Sequence, residues 1–384
     1  MISNQKTIAF VTPYFPPQGG GLEKYAYEIA LRLHRDHGCR IIFITSGAHK
    51  DADRVDEVAG MKIYRLSYQW KVSNTPIALN WRKKIKTIFG KEHVDLVNVH
   101  TPVPGIGNFA AAVAGTRPVV VTYHAGSMRK HKFLVDMIVS VYENVFLPLL
   151  LKRANSIICS SDFVRNHFLK KYTYKSITVT PAVDVNLFKP SPEPPHDSTL
   201  LFVAGLGYAQ QHKGLRILLD AVKKLEQVFP HLKLIVVGDG DMREWYESYV
   251  AHLGFRDRVS FRGILTGDEL VRSYQSASVL VLPSYAPAES FGMVLIEAMA
   301  CKLAVIGTNI GGIPTVISDH VDGLLIPPND SKALADAIEL IFSDMKNLRL
   351  MGENGRKKVL EHYTWDKKVA ETFKIFNDYL NEEK

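Results

Sequence analysis

The sequence predicts an α/β protein made of two doubly wound, parallel-sheet domains, and three observations lead there. The chain has 384 residues, enough for two domains at roughly 100–200 residues each. Short apolar, β-branched runs alternate with helical patterns through both halves, the signature of βαβ units with right-handed crossovers. The alternation stops once, at Pro190-Ser-Pro-Glu-Pro-Pro195, a composition that suits an extended linker and no element interior. The expected division is residues 1–190, residues 191–364, and a terminal helix, 365–384, packing back across the first domain.

The elements follow in order. Strands are expected at 7–12, 40–45, 61–66, 94–99, 118–123, 155–159 and 177–180, each an apolar run bounded by Gly, Pro or Asn. The helix Leu22 to Arg35 carries Leu22, Tyr25, Ala26, Ile29, Ala30 and Leu33 on one face. After the linker come strands at 199–204, 232–237, 258–262, 278–282, 303–307 and 323–326. Helices are expected at 213–228, 241–253, 267–276, 291–301, 330–343, 346–361 and 365–381. Trp365, Val369, Phe373, Phe376 and Leu380 give the last helix an apolar stripe that needs covering. Ligands of open α/β sheets sit beyond the carboxyl ends of the strands, so the active site is expected in a cleft between the two domains.

Composition narrows the function. With 46% hydrophobic and 22% charged residues the chain is an ordinary globular one. Three cysteines without a CxxC pattern make a disulfide scaffold or structural zinc improbable, and no run of eighteen apolar residues occurs. A cytoplasmic location is expected, with an option of peripheral attachment to the inner face of the plasma membrane. The net charge of +8 is unevenly distributed. Residues 1–190 hold 26 Lys+Arg against 13 Asp+Glu, a balance of +13, and the remainder is −5. An anionic surface or ligand met by the first half follows from that asymmetry.

The densest chemical signal is Glu289-Ser-Phe-Gly-Met-Val-Leu-Ile-Glu297. Glu289 falls in the loop after strand 278–282. Glu297 lies on a helix that is apolar nearly all round, where an acid needs a partner. Gly292 opens that helix, so the amides around Phe291, Gly292, Met293 and Val294 are available to an anion. Lys213 precedes Gly214 at another helix start, placed to neutralise a diphosphate as a point charge. The turn Gly19-Gly20-Gly21 also opens a helix and lets backbone approach a ligand; it lacks Gly-Lys-Ser/Thr and is no Walker loop. His124 ends a strand at the sheet's active edge, with a structural histidine as the plainer reading. Gly238-Asp239-Gly240 has no third glycine and no acid on the next strand, which disfavours NAD. Asp-x-Asp occurs only as Asp51/Asp53 and Asp239/Asp241, so no metal and no cofactor are expected, with cations and helix dipoles in the place of Mg²⁺.

Taken together, these segments resemble the retaining glycosyltransferases of family 4, which have the GT-B fold. Further matches are Pro16-Pro17 to Glu23, Thr122-Tyr-His124, Val183-Asp184 to Pro190, Lys213-Gly214, Val237 to Gly240, and Asn309-Ile-Gly311-Gly312-Ile-Pro314 with Asp322-Gly323-Leu324. The resemblance implies an enzyme that moves a hexosyl group from a UDP- or GDP-linked sugar to a hydroxyl of a glycan or glycolipid acceptor. Under it, Lys213, Glu289 and His124 are the catalytic candidates. Gly20, Gly21, Gly238, Phe291, Gly292, Met293, Val294 and Glu297 line the donor site, with Glu297 on the ribose and Glu289 on the sugar. Relatives often carry an Arg a few residues before the lysine. This chain reads Gly205-Leu-Gly-Tyr-Ala-Gln-Gln-His212-Lys213, leaving His212, Arg216 or Arg262 as the second cation.

A nucleotide-sugar epimerase of the same fold and a non-enzymatic glycan- or nucleic-acid-binding protein are the rivals. Scattered basic residues without interleaved aromatics disfavour nucleic acid. Arg129, Lys130, Lys132, Lys152 and Arg153 flank an amphipathic stretch, 133–151, that suits an anionic membrane surface.

Overall fold

The computed structural model describes residues 5–49, 52–72, 75–124, 133–192 and 198–381. The chain forms two compact units, residues 1–180 with 365–384 and residues 181–364.

The first unit holds an eight-stranded sheet. Its strands are β1 (Thr7–Val11), β2 (Arg40–His49), β3 (Arg54–Val58), β4 (Met61–Tyr68), then, past the small hairpin β5 (Trp70–Val72) and β6 (Thr75–Ile77), β7 (Leu96–Thr101), β8 (Val119–Tyr123), β9 (Ser156–Cys159) and β10 (Ser176–Thr178). Their order is β10-β9-β8-β7-β1-β2-β4-β3. Every residue of β1, β7, β8 and β9 is buried, as expected where helices cover both faces. The helices are α1 (Gly21–His37), α2 (Trp81–Lys91), α3 (Ile106–Val113), α4 (Phe133–Val141), α5 (Leu147–Arg153) and α6 (Asp162–His167), with a π-helical turn, Tyr142–Phe146, joining α4 to α5.

One strand corrects the expectation of a purely parallel sheet. β3 pairs antiparallel with β4 across Ala59-Gly60, both at positive φ, the requirement of a tight hairpin turn. Its sequence, Arg-Val-Asp-Glu-Val, is that of a charged edge strand, mostly exposed, so it shows no apolar run to read.

The C-terminal helix Trp365–Leu380 belongs to this unit. Val369, Phe376 and Leu380 are buried with Ile8, Phe10 and Leu33, and Phe373 lies 4.2 Å, ring to ring, from His37 of α1.

The second unit begins at Pro181, upstream of the proline-rich run. Val183 donates to the Tyr363 carbonyl where the chain enters and leaves (2.9 Å), Phe188 packs edge-on against Tyr274, and Arg356 binds the carbonyls of Val185, Phe188 and Ala300. Residues 181–189 are thereby fastened to this core. Its sheet comprises β11 (Thr199–Val203), β12 (Lys233–Val237), β13 (Val259–Phe261), β14 (Val279–Leu282), β15 (Ala304–Thr308) and β16 (Gly323–Ile326). All pairs are parallel, in the order β13-β12-β11-β14-β15-β16. Helices α7 (Leu215–Lys224), α8 (Arg243–Leu253), α9 (Gly267–Gln275), α10 (Met293–Ala300), α11 (Ser331–Ser343) and α12 (Met345–His362) complete it.

This is the doubly wound dinucleotide-binding order, whose strand sequence reverses between β11 and β14, the place where such sheets take their ligands. In the first unit the reversal lies between β1 and β7. All three cysteines are buried and unpaired. Among the described residues no helix is long and apolar enough to cross a membrane.

Candidate active site

In the second unit the residues after β11 and β14 meet. Beyond β11 a 3₁₀ turn, Tyr208–Lys213, ends at Gly214, φ +83°. A Cβ on Gly214 would fall 2.0 Å from the Pro283 carbonyl oxygen, so only glycine lets this turn lie on the end of β14. Tyr285 N–H bonds the His212 carbonyl at 2.9 Å. Held there, the Lys213 ammonium forms an ion pair with Glu289, which is buried, at 7% exposure.

The Glu289 loop is itself fastened from behind. The Glu289 carbonyl accepts from Gly312 N–H at 2.8 Å. A Cβ on Gly311 would sit 2.4 Å from that oxygen, and one on Gly312 2.0 Å from the Ser290 carbonyl. The Asn309–Pro314 motif is thus a buttress for the carboxylate's loop.

Past Phe291, buried against Tyr363, Gly292 adopts φ +95° and begins α10. The amides of Met293 and Val294 in its first turn have no intrahelical acceptor and carry the positive end of the helix dipole. Glu297, half-buried on α10, accepts from the Tyr274 hydroxyl at 2.6 Å. Tyr274 is fully buried. Desolvation and the neighbouring carboxylate raise its pKa well above the ordinary tyrosine value, so it stays a donor.

Gly238 shapes the same edge from β12. Its N–H binds the Gly263 carbonyl at 2.8 Å, and a Cβ there would meet the Ala204 oxygen at 1.8 Å. The two aspartates beside it are engaged: Asp239 with the Gly240 amide and Arg243, Asp241 with the Tyr208 amide. Among the described residues no three His, Cys, Asp or Glu side chains come together as a metal site.

Of the three candidate second cations, Arg216 lies 3.9 Å from Asp220 and over the Tyr249 ring. Arg262 is exposed. Burial and the Lys213 charge lower the pKa of His212, which keeps it neutral.

In the first unit, the Gly19–Gly21 turn already carries an anion. Gly20 N–H donates to Glu23 Oε2 at 2.7 Å, Gly19 (φ +98°) makes room for that carboxylate, and Glu23 is buried. The expected phosphate-binding amide is therefore occupied by the helix's own acid, the N3 half of a capping box, with no side chain at the glycine cap to complete it. His124 follows β8 and is half-buried. Its Nε2 lies 2.8 Å from Nδ1 of His100, at the end of β7, and Tyr25 of α1 packs edge-on to its ring. Trp365 lies against Tyr25 and under Arg32.

The sequence pattern did not single out Tyr274 or His100, and it marked Glu23 only as the end of the Pro16–Glu23 segment, without its bond to Gly20. Each stands at an ordinary core or cap position in the pattern, and only the tertiary contacts distinguish it.

Beside α3, the α4–α5 segment leaves Met137, Ile138, Val141, Phe146 and Leu149 about half exposed, over an apolar cavity of about 760 Å³ with Arg82 and Arg153 among its lining. Arg153 donates to the Gly115 and Arg117 carbonyls. Arg129, Lys130 and Lys132 lie outside the described residues.

Comparison with known proteins agrees with this arrangement. The family model for Glycosyltransferase Family 4 matches residues 19–186, and that for glycosyl transferases group 1 matches residues 186–358. The chain is 26% identical to the O-antigen chain mannosyltransferase C of Escherichia coli, over 96% of each chain. It is 26% identical to the phosphatidyl-myo-inositol mannosyltransferase of Mycolicibacterium smegmatis, over 96% of this chain and 93% of the relative. Its fold superposes on sucrose-phosphate synthase from Thermosynechococcus elongatus with a TM-score of 0.79 at 22% identity, covering 99% of this chain and 100% of the other. With an ion pair and a helix N-terminus at the switch point of one doubly wound unit and a histidine pair at the sheet edge of the other, this chain is a glycosyltransferase that belongs to family 4, group 1 type, with the GT-B fold.

Proposed function

We propose that the enzyme transfers a hexosyl group from a UDP- or GDP-linked sugar to a hydroxyl of a lipid-linked or polysaccharide acceptor, with retention of configuration and without a metal. The observation that carries this reading is the Lys213–Glu289 ion pair at the switch point, beside a helix that starts at Gly292. An ammonium has three donors, so Lys213 can hold Glu289 and still reach a diphosphate. The first-turn amides of α10 add donors along the same leaving group. Glu297, oriented by Tyr274, binds the ribose hydroxyls and Glu289 those of the sugar.

The departing diphosphate gains charge in the transition state, and Lys213 with the α10 dipole stabilises it there more than in the ground state. The acceptor hydroxyl attacks from the same face, and the leaving phosphate oxygen takes its proton. No carboxylate intermediate is needed. A lipid acceptor is supported by the apolar flank of α4–α5 and the cavity behind it, together with the +13 balance of the first half.

The test is a transfer assay with and without EDTA, followed by assignment of the product anomer. Activity that survives chelation and a product with the donor's configuration support the proposal. Loss on chelation with recovery on adding Mg²⁺ or Mn²⁺ rejects the metal-free step, and an inverted product rejects retention.

A further inference from the structure

His100 is a buried histidine with no direct role in the transfer, and its surroundings form a one-way chain of hydrogen bonds. Asn98 and His100 stand two apart on β7 and share one face of the sheet, with Val120 and Thr122 opposite them on β8. The Val120 carbonyl, 3.1 Å from the Asn98 amide, can only accept, so the Asn98 NH₂ group faces it, and its second hydrogen reaches Thr122 Oγ1 at 2.9 Å. That orientation turns Asn98 Oδ1 toward His100 Nε2, 2.7 Å away. An amide oxygen can only accept, so His100 Nε2 carries a proton.

Burial, and then the neighbouring His124, hold the pKa of His100 well below the usual histidine value, and burial likewise lowers that of His124; both rings are neutral. His100 Nδ1 is then a bare acceptor, and across 2.8 Å it takes the proton of His124 Nε2. A neutral ring has one N–H, so His124 Nδ1 carries a lone pair.

We infer that Asn98 and His100 are positioning residues that hold His124 as its Nε2–H tautomer, so that Nδ1 engages only hydrogen-bond donors. Under the proposed function, on which this part rests, a ligand group that bonds this nitrogen has to be a donor such as a hydroxyl. An O-methyl ether or a carboxylate at that position is refused, because its oxygen would face a lone pair.

The experiment is long-range ¹H–¹⁵N correlation of the full chain labelled with ¹⁵N-histidine, near pH 7.5 and without donor, with signals assigned by comparison with His124→Asn and His100→Asn. The expected spectrum has His100 and His124 each protonated at Nε2 and unprotonated at Nδ1. A proton on Nδ1 of His124, or an imidazolium, overturns the inference. Asn98→Leu removes the amide oxygen that holds the His100 proton on Nε2; His124 should then populate both tautomers and kcat/KM should fall on the order of tenfold. An unchanged tautomer in a folded Asn98→Leu protein overturns the role of Asn98. Because the wild-type spectrum needs no turnover, it decides the tautomer even if the transfer assay fails, in which case the proposed function falls alone.

Discussion

Tyr274 and Glu297 come from different elements, one buried in α9 and one on α10, and meet at 2.6 Å through a hydroxyl that donates to the carboxylate. The pair holds the carboxylate in one orientation before any ligand arrives. Substituting Tyr274→Phe should therefore raise the donor KM severalfold with kcat nearly unchanged, since a net hydrogen bond contributes about 1 kcal/mol. Glu297→Ala should act in the same sense and more strongly. Steady-state kinetics with varied donor distinguishes the two parameters; a collapse of kcat with constant KM would reassign Glu297.

Lys213→Ala removes the charge closest to the proposed leaving group and leaves Glu289 buried without its partner. The expected result is a fall in kcat on the order of 10²-fold. Lys213→Met, which keeps the length of the stem, should be no better. Wild-type turnover in either variant would place the diphosphate elsewhere.

Gly312→Ala tests the buttress. The added methyl would sit 2.0 Å from the Ser290 carbonyl, so the loop carrying Glu289 has to move. Overpacking of this kind costs about 1–3 kcal/mol, and kcat/KM should drop with stability. Gly90→Ala, which meets nothing within 4 Å on α2, is the control and should leave activity unchanged and stability equal or slightly higher.

The histidine pair gives stability a pH dependence of definite sign. Both pKa values are depressed in the folded state, so the unfolded chain binds the protons more readily. The contribution is complete above the ordinary value of 6.5 and is lost as pH falls below it toward the folded values. Urea midpoints at pH 7.5 and 5.0 should fall more for the wild type than for His124→Asn. Equal losses would mean that His124 already carries a proton in the folded protein. For the same reason, activity between pH 6 and 8 should show no limb that vanishes in His124→Asn.

The exposed apolar flank predicts binding to anionic vesicles. Phe146 is 51% and Leu149 61% exposed, and each such side chain contributes about 1.5–3 kcal/mol when fully buried. Co-sedimentation should be strong at low salt, weaker at high salt as the basic residues are screened, and reduced in Phe146→Ser with Leu149→Ser. If the protein stays in the supernatant even at low ionic strength, a soluble acceptor is the better assignment.

Much of this was legible in the amino-acid order alone. Apolar runs and period-3.6 patterns are local, so the buried strands of both sheets and the apolar stripe of Trp365–Leu380 could be read from the sequence, while the short hairpin Trp70–Ile77 could not. The spacing of Glu289, Gly292 and Glu297 is local too, and it announced a carboxylate and a helix mouth on one loop. The charged edge strand Arg54–Val58 escaped because an edge needs no apolar run. Tertiary structure alone decided the partners. Lys213 reaches Glu289, 76 residues away, because Gly214 lies against Pro283. Gly20 turns to Glu23 rather than remaining open to a phosphate. His124 takes its tautomer from a carbonyl two hydrogen-bonded residues away. Hydrogen-bond direction and burial depend on which distant groups face each other, and that is set by the order of strands in the sheet rather than by any local pattern.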